Sequence, residues 1–162
     1  MPAPPYVAVV GPGEASAQEL GAAEEVGRRV AQAGGYVVCG GLGGVMEAAC
    51  RGASEAGGLT IGILPGPSRA AANRWVAVGV PTGLGELRNG LVVRAADVVV
   101  AVGGAYGTLS EIALALKTGV PVVGIATWPV DGIERAKSPR EAVERALELA
   151  RRASSGSIRL GQ

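Results

Sequence analysis

Asp97–Lys117 reads D-V-V-V-A-V-G-G-A-Y-G-T-L-S-E-I-A-L-A-L-K. Val98–Val102 is an unbroken apolar run, too short for a helix and without polar alternation. That is the pattern of a strand covered on both faces. Gly103–Gly107 interrupts it, and a helix is expected to open at Thr108. Amides at a helix start lack intrahelical partners and sit at the positive end of the helix dipole. The turn Gly103, Gly104, Ala105, Tyr106, Gly107 and Thr108 is therefore expected to bind a phosphate, with the Thr108 hydroxyl added to the backbone donors. Glu111 falls one turn later, beside whatever carries the phosphate.

The same strand–glycine–helix unit recurs on both sides of this stretch. Tyr6–Val10 is a strand ending in Gly11-Pro12-Gly13, and Ser16 with Glu19 forms a capping box for a helix reaching about Ala33. Tyr36–Cys39 is a second strand, followed by Gly40-Gly41-Leu42-Gly43-Gly44 and a helix carrying Val45, Met46, Ala49 and Ala53. Leu59–Leu64 and Trp75–Val80 read as strands, with a polar loop from Ser68 to Asn73 between them. A helix from about Glu86 to Ala96 puts Leu87, Leu91 and Val92 on one face and Arg88 off it. Val120–Ile125 is the sixth strand. Ser138, Pro139 and Glu141 start a last helix, and the tail beyond about Ala153 has the composition of a frayed, disordered end.

Buried strands alternating with helices predict an α/β, Rossmann-like, doubly wound domain over residues 1–162, its sheet mainly parallel with helices on both faces. The glycine clusters follow the carboxyl ends of strands, which share the ligand-binding edge of such a sheet.

Composition narrows the chemistry. The chain has 162 residues, no histidine and a net charge of +1. That excludes a Ser-His-Asp triad and the usual zinc sites, and gives no reason to expect nucleic acid or an acidic membrane as partner. No metal site is expected. Two cysteines, Cys39 and Cys50, fit a reducing, cytoplasmic setting and read as small buried hydrophobes.

Two familiar phosphate loops fail. Gly11-Pro12-Gly13 has Ser16 where a dinucleotide fingerprint needs its third glycine, and Gly83-Leu84-Gly85 has Arg88. No lysine precedes Thr108, so a triphosphate loop is absent and a monophosphate or phosphorylated sugar fits better.

Gly103–Glu111 does resemble the P-G-G-x-G-T-x-x-E signature of the LONELY GUY (LOG) family, in the superfamily also labelled possible lysine decarboxylases. Gly40–Glu47 and Arg88 are similar to that family too, and the likeness spans roughly Val7 to Ile125. The signature's proline falls on Gly103, its second glycine on Ala105, and the family's Arg-Lys pair reads Arg88-Asn89. These departures are nearer a bacterial sister branch that includes molybdenum-cofactor carrier proteins, which bind a phosphorylated pterin.

The resemblance implies hydrolysis of a nucleoside 5′-monophosphate to free base and ribose 5-phosphate. Glu111 and Arg88 would then be catalytic, Gly41, Gly44 and Asn89 would hold substrate, and no cofactor would be required. The alternative is a non-catalytic carrier with molybdenum cofactor as cargo, or a nucleotide sensor. A homodimer is implied, for which the helices after Gly44 and Gly107 are candidate surfaces. Decarboxylation is set aside, since pyridoxal chemistry needs a lysine at the phosphate and Lys117 and Lys137 are both elsewhere.

Overall fold

The computed structural model describes residues 2–156. Seven parallel strands make one sheet: β1 (Tyr6–Val10), β2 (Tyr36–Cys39), β3 (Thr60–Leu64), β4 (Val78–Pro81), β5 (Val98–Val102), β6 (Val122–Ile125) and β7 (Glu134–Arg135), in the order β4-β3-β2-β1-β5-β6-β7. Every neighbouring pair is parallel. The order reverses between β1 and β5, where Val9 pairs with Val100. This is a Rossmann-like α/β fold, and its switch point lies at the stretch that opened the sequence reading.

Alternate residues of the central strands feed two cores. Val98, Val100 and Val102 join Val7, Val9 and Val37 under α1 (Ala17–Gln32), α2 (Val45–Glu55) and α5 (Pro139–Gly156). Val99 and Ala101 turn the other way, with Ala8, Val10 and Val38, under α3 (Asn89–Arg94) and α4 (Tyr106–Thr118). Without phenylalanine, small side chains let the layers come close. At Gly27 of α1 an added Cβ would stand 2.0 Å from the Ala49 carbonyl oxygen of α2, and at Gly52 of α2 one would stand 2.0 Å from that of Glu24. The α1–α2 packing therefore admits no larger residue at either point. Cys39 and Cys50 are free and buried, their sulfurs 3.4 Å apart.

Several boundaries differ from the sequence reading. The fourth strand begins at Val78, because the Asn73 side chain holds Trp75 in a turn: its carbonyl accepts from the Trp75 amide at 3.0 Å and its amide donates to the Leu42 carbonyl at 2.9 Å. Arg69–Ala71 is a short 3-10 turn rather than plain loop. β7 was not foreseen, since two polar residues carry no strand pattern. The last helix continues through Ala153 to Gly156, correcting the frayed end; residues 157–162 lie outside the described residues.

The stretch 86–96 is split. Gly85–Arg88 forms a 3-10 turn before α3, and this tighter winding rotates the face presented to the core. Leu87 is 80% exposed, whereas Arg88 is only 8% exposed, the reverse of the expected arrangement.

Among the described residues, one outside the glycines has left-handed backbone. Ala126, just after β6, has φ 47° and is exposed. Such a conformation costs an L-residue with a Cβ about 1–2 kcal/mol, and glycine's freer unfolded chain offsets about 0.4–1 kcal/mol of its relief, so Ala126→Gly should raise unfolding stability by about 0.5–1 kcal/mol. Chemical denaturation followed by circular dichroism measures it; an unchanged or lower midpoint would contradict it.

Candidate functional site

The carboxyl ends of β1 and β5 part at the switch point and leave a cavity of about 220 Å³. Its walls are Gly11–Gly13 after β1, Gly40 after β2, Met46 at the start of α2, Arg88 with Asn89 at the start of α3, and Ala105, Gly107, Thr108 and Glu111 of the β5–α4 unit. Sites that engulf a whole small molecule usually span roughly 300–1,000 Å³. This one has room for one end of such a molecule.

α4 opens two residues earlier than Thr108, with Ala105 as its cap and no side chain capping it. The first intrahelical bond runs from the Leu109 amide to the Ala105 carbonyl at 3.0 Å. The amides of Tyr106, Gly107 and Thr108 are thus the donors left over at the positive helix end. Thr108 lies inside the first turn, 1% exposed, and its hydroxyl has no hydrogen-bond partner. With the cap displaced, Thr108 and Glu111 do not form a capping box, and both residues line the cavity.

Gly103 and Gly104 serve differently from expectation. The Gly103 amide already donates to the Ile125 carbonyl at 3.0 Å. Gly103 has φ 67°, and a Cβ there would meet the Glu19 carboxylate at 2.4 Å, so glycine is required for the turn itself. Gly104 sits against the Trp128 indole. Of the expected donors from Gly103 to Thr108, the Gly103 amide is therefore already engaged, while those of Tyr106, Gly107 and Thr108 are left over.

Arg88 spans the strand ends. Its Nε donates to the Ile63 carbonyl at 2.9 Å, Nη2 to the Gly40 carbonyl at 3.3 Å, and Nη1 to the Asn89 side-chain oxygen. These bonds brace β2 and β3 against α3 and fix a positive charge at the cavity wall. Glu111 is 9% exposed, and its burial pushes the carboxyl up to about 7, with Arg88 pulling the other way. Loss of hydration outweighs the neighbouring cation here. Near neutral pH this acid can hold a proton or release it.

Asn89, Arg88 and Glu111 thus meet in one cavity, as the sequence implied. Gly41 and Gly44 do not line it. Gly41 packs on Leu64, and Gly44 on the Pro12 and Gly13 backbone, so both shape the loop that sets Gly40 in the wall. Met46, read as core, is half-buried at the cavity wall. Its position just after a glycine loop at the ligand edge was the available signal. Among the described residues, no helix is long and apolar enough to cross a membrane.

Comparison with known proteins places this geometry in context. Residues 4–152 match the SLOG cluster4 family. An uncharacterized protein of Archaeoglobus fulgidus is 39% identical over 138 residues, covering 85% of this chain and 91% of that protein. The molybdenum cofactor binding protein of the phototrophic bacterium Rippkaea orientalis superposes with a TM-score of 0.86 at 37% identity, over 91% of this chain and 98% of that one. The Moco carrier protein of Chlamydomonas reinhardtii gives 0.85 at 36% identity, over 93% and 99%.

Proposed function

Since the chain belongs to the SLOG cluster4 family, we propose that it is a carrier of molybdenum cofactor, holding this phosphorylated pterin by its phosphate at the opening of α4. Of two similar structures, one is named a Moco carrier protein and the other a molybdenum cofactor binding protein, and this chain covers nearly all of each. The observation that carries the reading is the Thr108 hydroxyl, buried without a partner beside three leftover amides. An unsatisfied buried polar group costs about 1–3 kcal/mol. A ligand oxygen arriving at α4 removes that cost.

The described residues contain no group of three or more His, Cys, Asp or Glu side chains able to hold a metal ion.

A second reading, LOG-like hydrolysis of a nucleoside 5′-monophosphate, has Glu111 in its favour. A carboxylate one turn from the phosphate cradle would stabilise the oxocarbenium ion formed as the base departs. That role needs the ionised acid, which burial opposes. The carrier makes no such demand.

Incubating the purified protein with AMP and, separately, with cofactor released from a molybdoenzyme tests the order of the two. The carrier reading expects intact AMP, and molybdenum and pterin retained through gel filtration. Adenine release that disappears in Glu111→Ala would promote the hydrolase instead.

We also propose a cytoplasmic homodimer. α2 is packed against α1, whereas the outer side of the α3 layer exposes Leu87 and Leu91, so that side is the better candidate for the contact. Light scattering on eluted protein reads the mass.

A further inference from the structure

Tyr106 is the first residue of α4 and is 84% exposed. One face of its ring stacks on Trp128, with ring centres 6.0 Å apart and planes 27° from parallel. Trp128 is itself anchored, its indole N–H donating to the Ala105 carbonyl at 2.9 Å. Gly104 leaves the indole its place, since a Cβ there would come within 3.0 Å of the indole nitrogen. The strained Ala126 lies two residues before Trp128, in the segment that brings the indole to this edge. Strain of that kind persists where the surroundings impose it, and it gathers at ligand clamps.

This chain has two tryptophans, three tyrosines and no phenylalanine, yet one of each aromatic type it does use meets here. Ala105 and Gly107, the residues on either side of Tyr106, both line the cavity. Tyr106 does not line the cavity itself but stands between two residues that do, which sets its exposed ring at the rim, within reach of the part of a ligand that the cavity leaves outside.

We propose that Tyr106, backed by Trp128, is a stacking shelf for the flat ring of the ligand, so that the site selects phosphate esters of planar heterocycles such as pterins and purines. The proposal rests on the anion site at α4 and adds the element that distinguishes one phosphate ester from another. Backbone donors hold the phosphate whatever it is attached to; only the shelf reads the ring.

The test compares two ligands by calorimetry. GMP carries a ring with the amino-oxo pyrimidine edge of a pterin, and ribose 5-phosphate carries the same phosphate with no ring. Stacking is worth about 1–3 kcal/mol per base, so Tyr106→Ala should weaken GMP by about 5- to 150-fold. Ribose 5-phosphate should change by no more than about twofold, and Tyr106→Phe should bind GMP like wild type. The side chain is exposed, and equal thermal midpoints would verify that both variants fold. An Ala variant that keeps its GMP affinity, or loses both ligands equally, overturns the shelf and leaves the anion site standing. A wild type that binds neither ester overturns the anion site and the shelf with it.

Discussion

Gly107→Asp should reduce phosphate-ester affinity by about 100-fold or more, a loss of about 2.7 kcal/mol, without weakening the fold. Gly107 is exposed in the first turn of α4, its φ is not in the left-handed range, and a Cβ added there meets nothing within 4 Å. A carboxylate near the start of a helix is favoured by about 0.3–1 kcal/mol, since it answers the same dipole that attracts a phosphate. The substituted acid therefore occupies, electrically, the place of the ligand. Stability and binding should move in opposite directions. Gly107→Asn, of similar size without the charge, should lose far less affinity. Calorimetry with ribose 5-phosphate alongside thermal unfolding gives both quantities. Wild-type affinity in the Asp variant would mean that the anion is held elsewhere.

Glu111→Gln should make the protein more stable than wild type above neutral pH, by about 2–3 kcal/mol at pH 8. The carboxyl is raised from 4.5 to about 7, first by burial, with Arg88 opposing. Between those values the folded chain holds a proton that the unfolded chain has released. Wild-type stability must then fall as pH rises through that window, with the loss complete above about pH 7. Glutamine keeps the shape and never ionises, so its profile should lack the slope. The two proteins should agree near pH 4.5 and separate progressively above it. Urea denaturation at pH 5 and pH 8 is enough to see this. Parallel profiles would show that the acid titrates at its ordinary value. A site residue whose replacement stabilises the protein is one retained for binding or chemistry.

Much of this architecture can be read from the chain because local and global preferences agree. β1, β2 and β5 have the bounds their apolar runs suggest, and Ser16 with Glu19 forms the expected capping box. The errors come where tertiary contacts decide. Thr108 looks like a cap, but α4 starts at Tyr106 behind an alanine whose side chain cannot cap, and no local signal marks that start. Arg88 looks solvated on an α-helical wheel; a four-residue 3-10 turn changes the phase, and carbonyls from two distant strands then satisfy its guanidinium. Met46 fits a core pattern equally well because a cavity wall and a core wall are both apolar. Glu111 in the cavity was legible from its spacing, but the burial that sets its acidity depends on how α3, α4 and the sheet pack around it.

The anion donors at α4 belong to the main chain, which has a lasting implication. No replacement short of proline removes these N–H groups, so the capacity proposed here to grasp a phosphate survives sequence drift as long as the strand, the turn and the first helical winding persist and no acid enters that winding. Discrimination among cargoes rests on a thin rim of side chains around that constant grip. Descendants of one ancestor can therefore exchange one phosphorylated metabolite for another, or acquire and shed turnover, through a handful of substitutions on an unaltered scaffold.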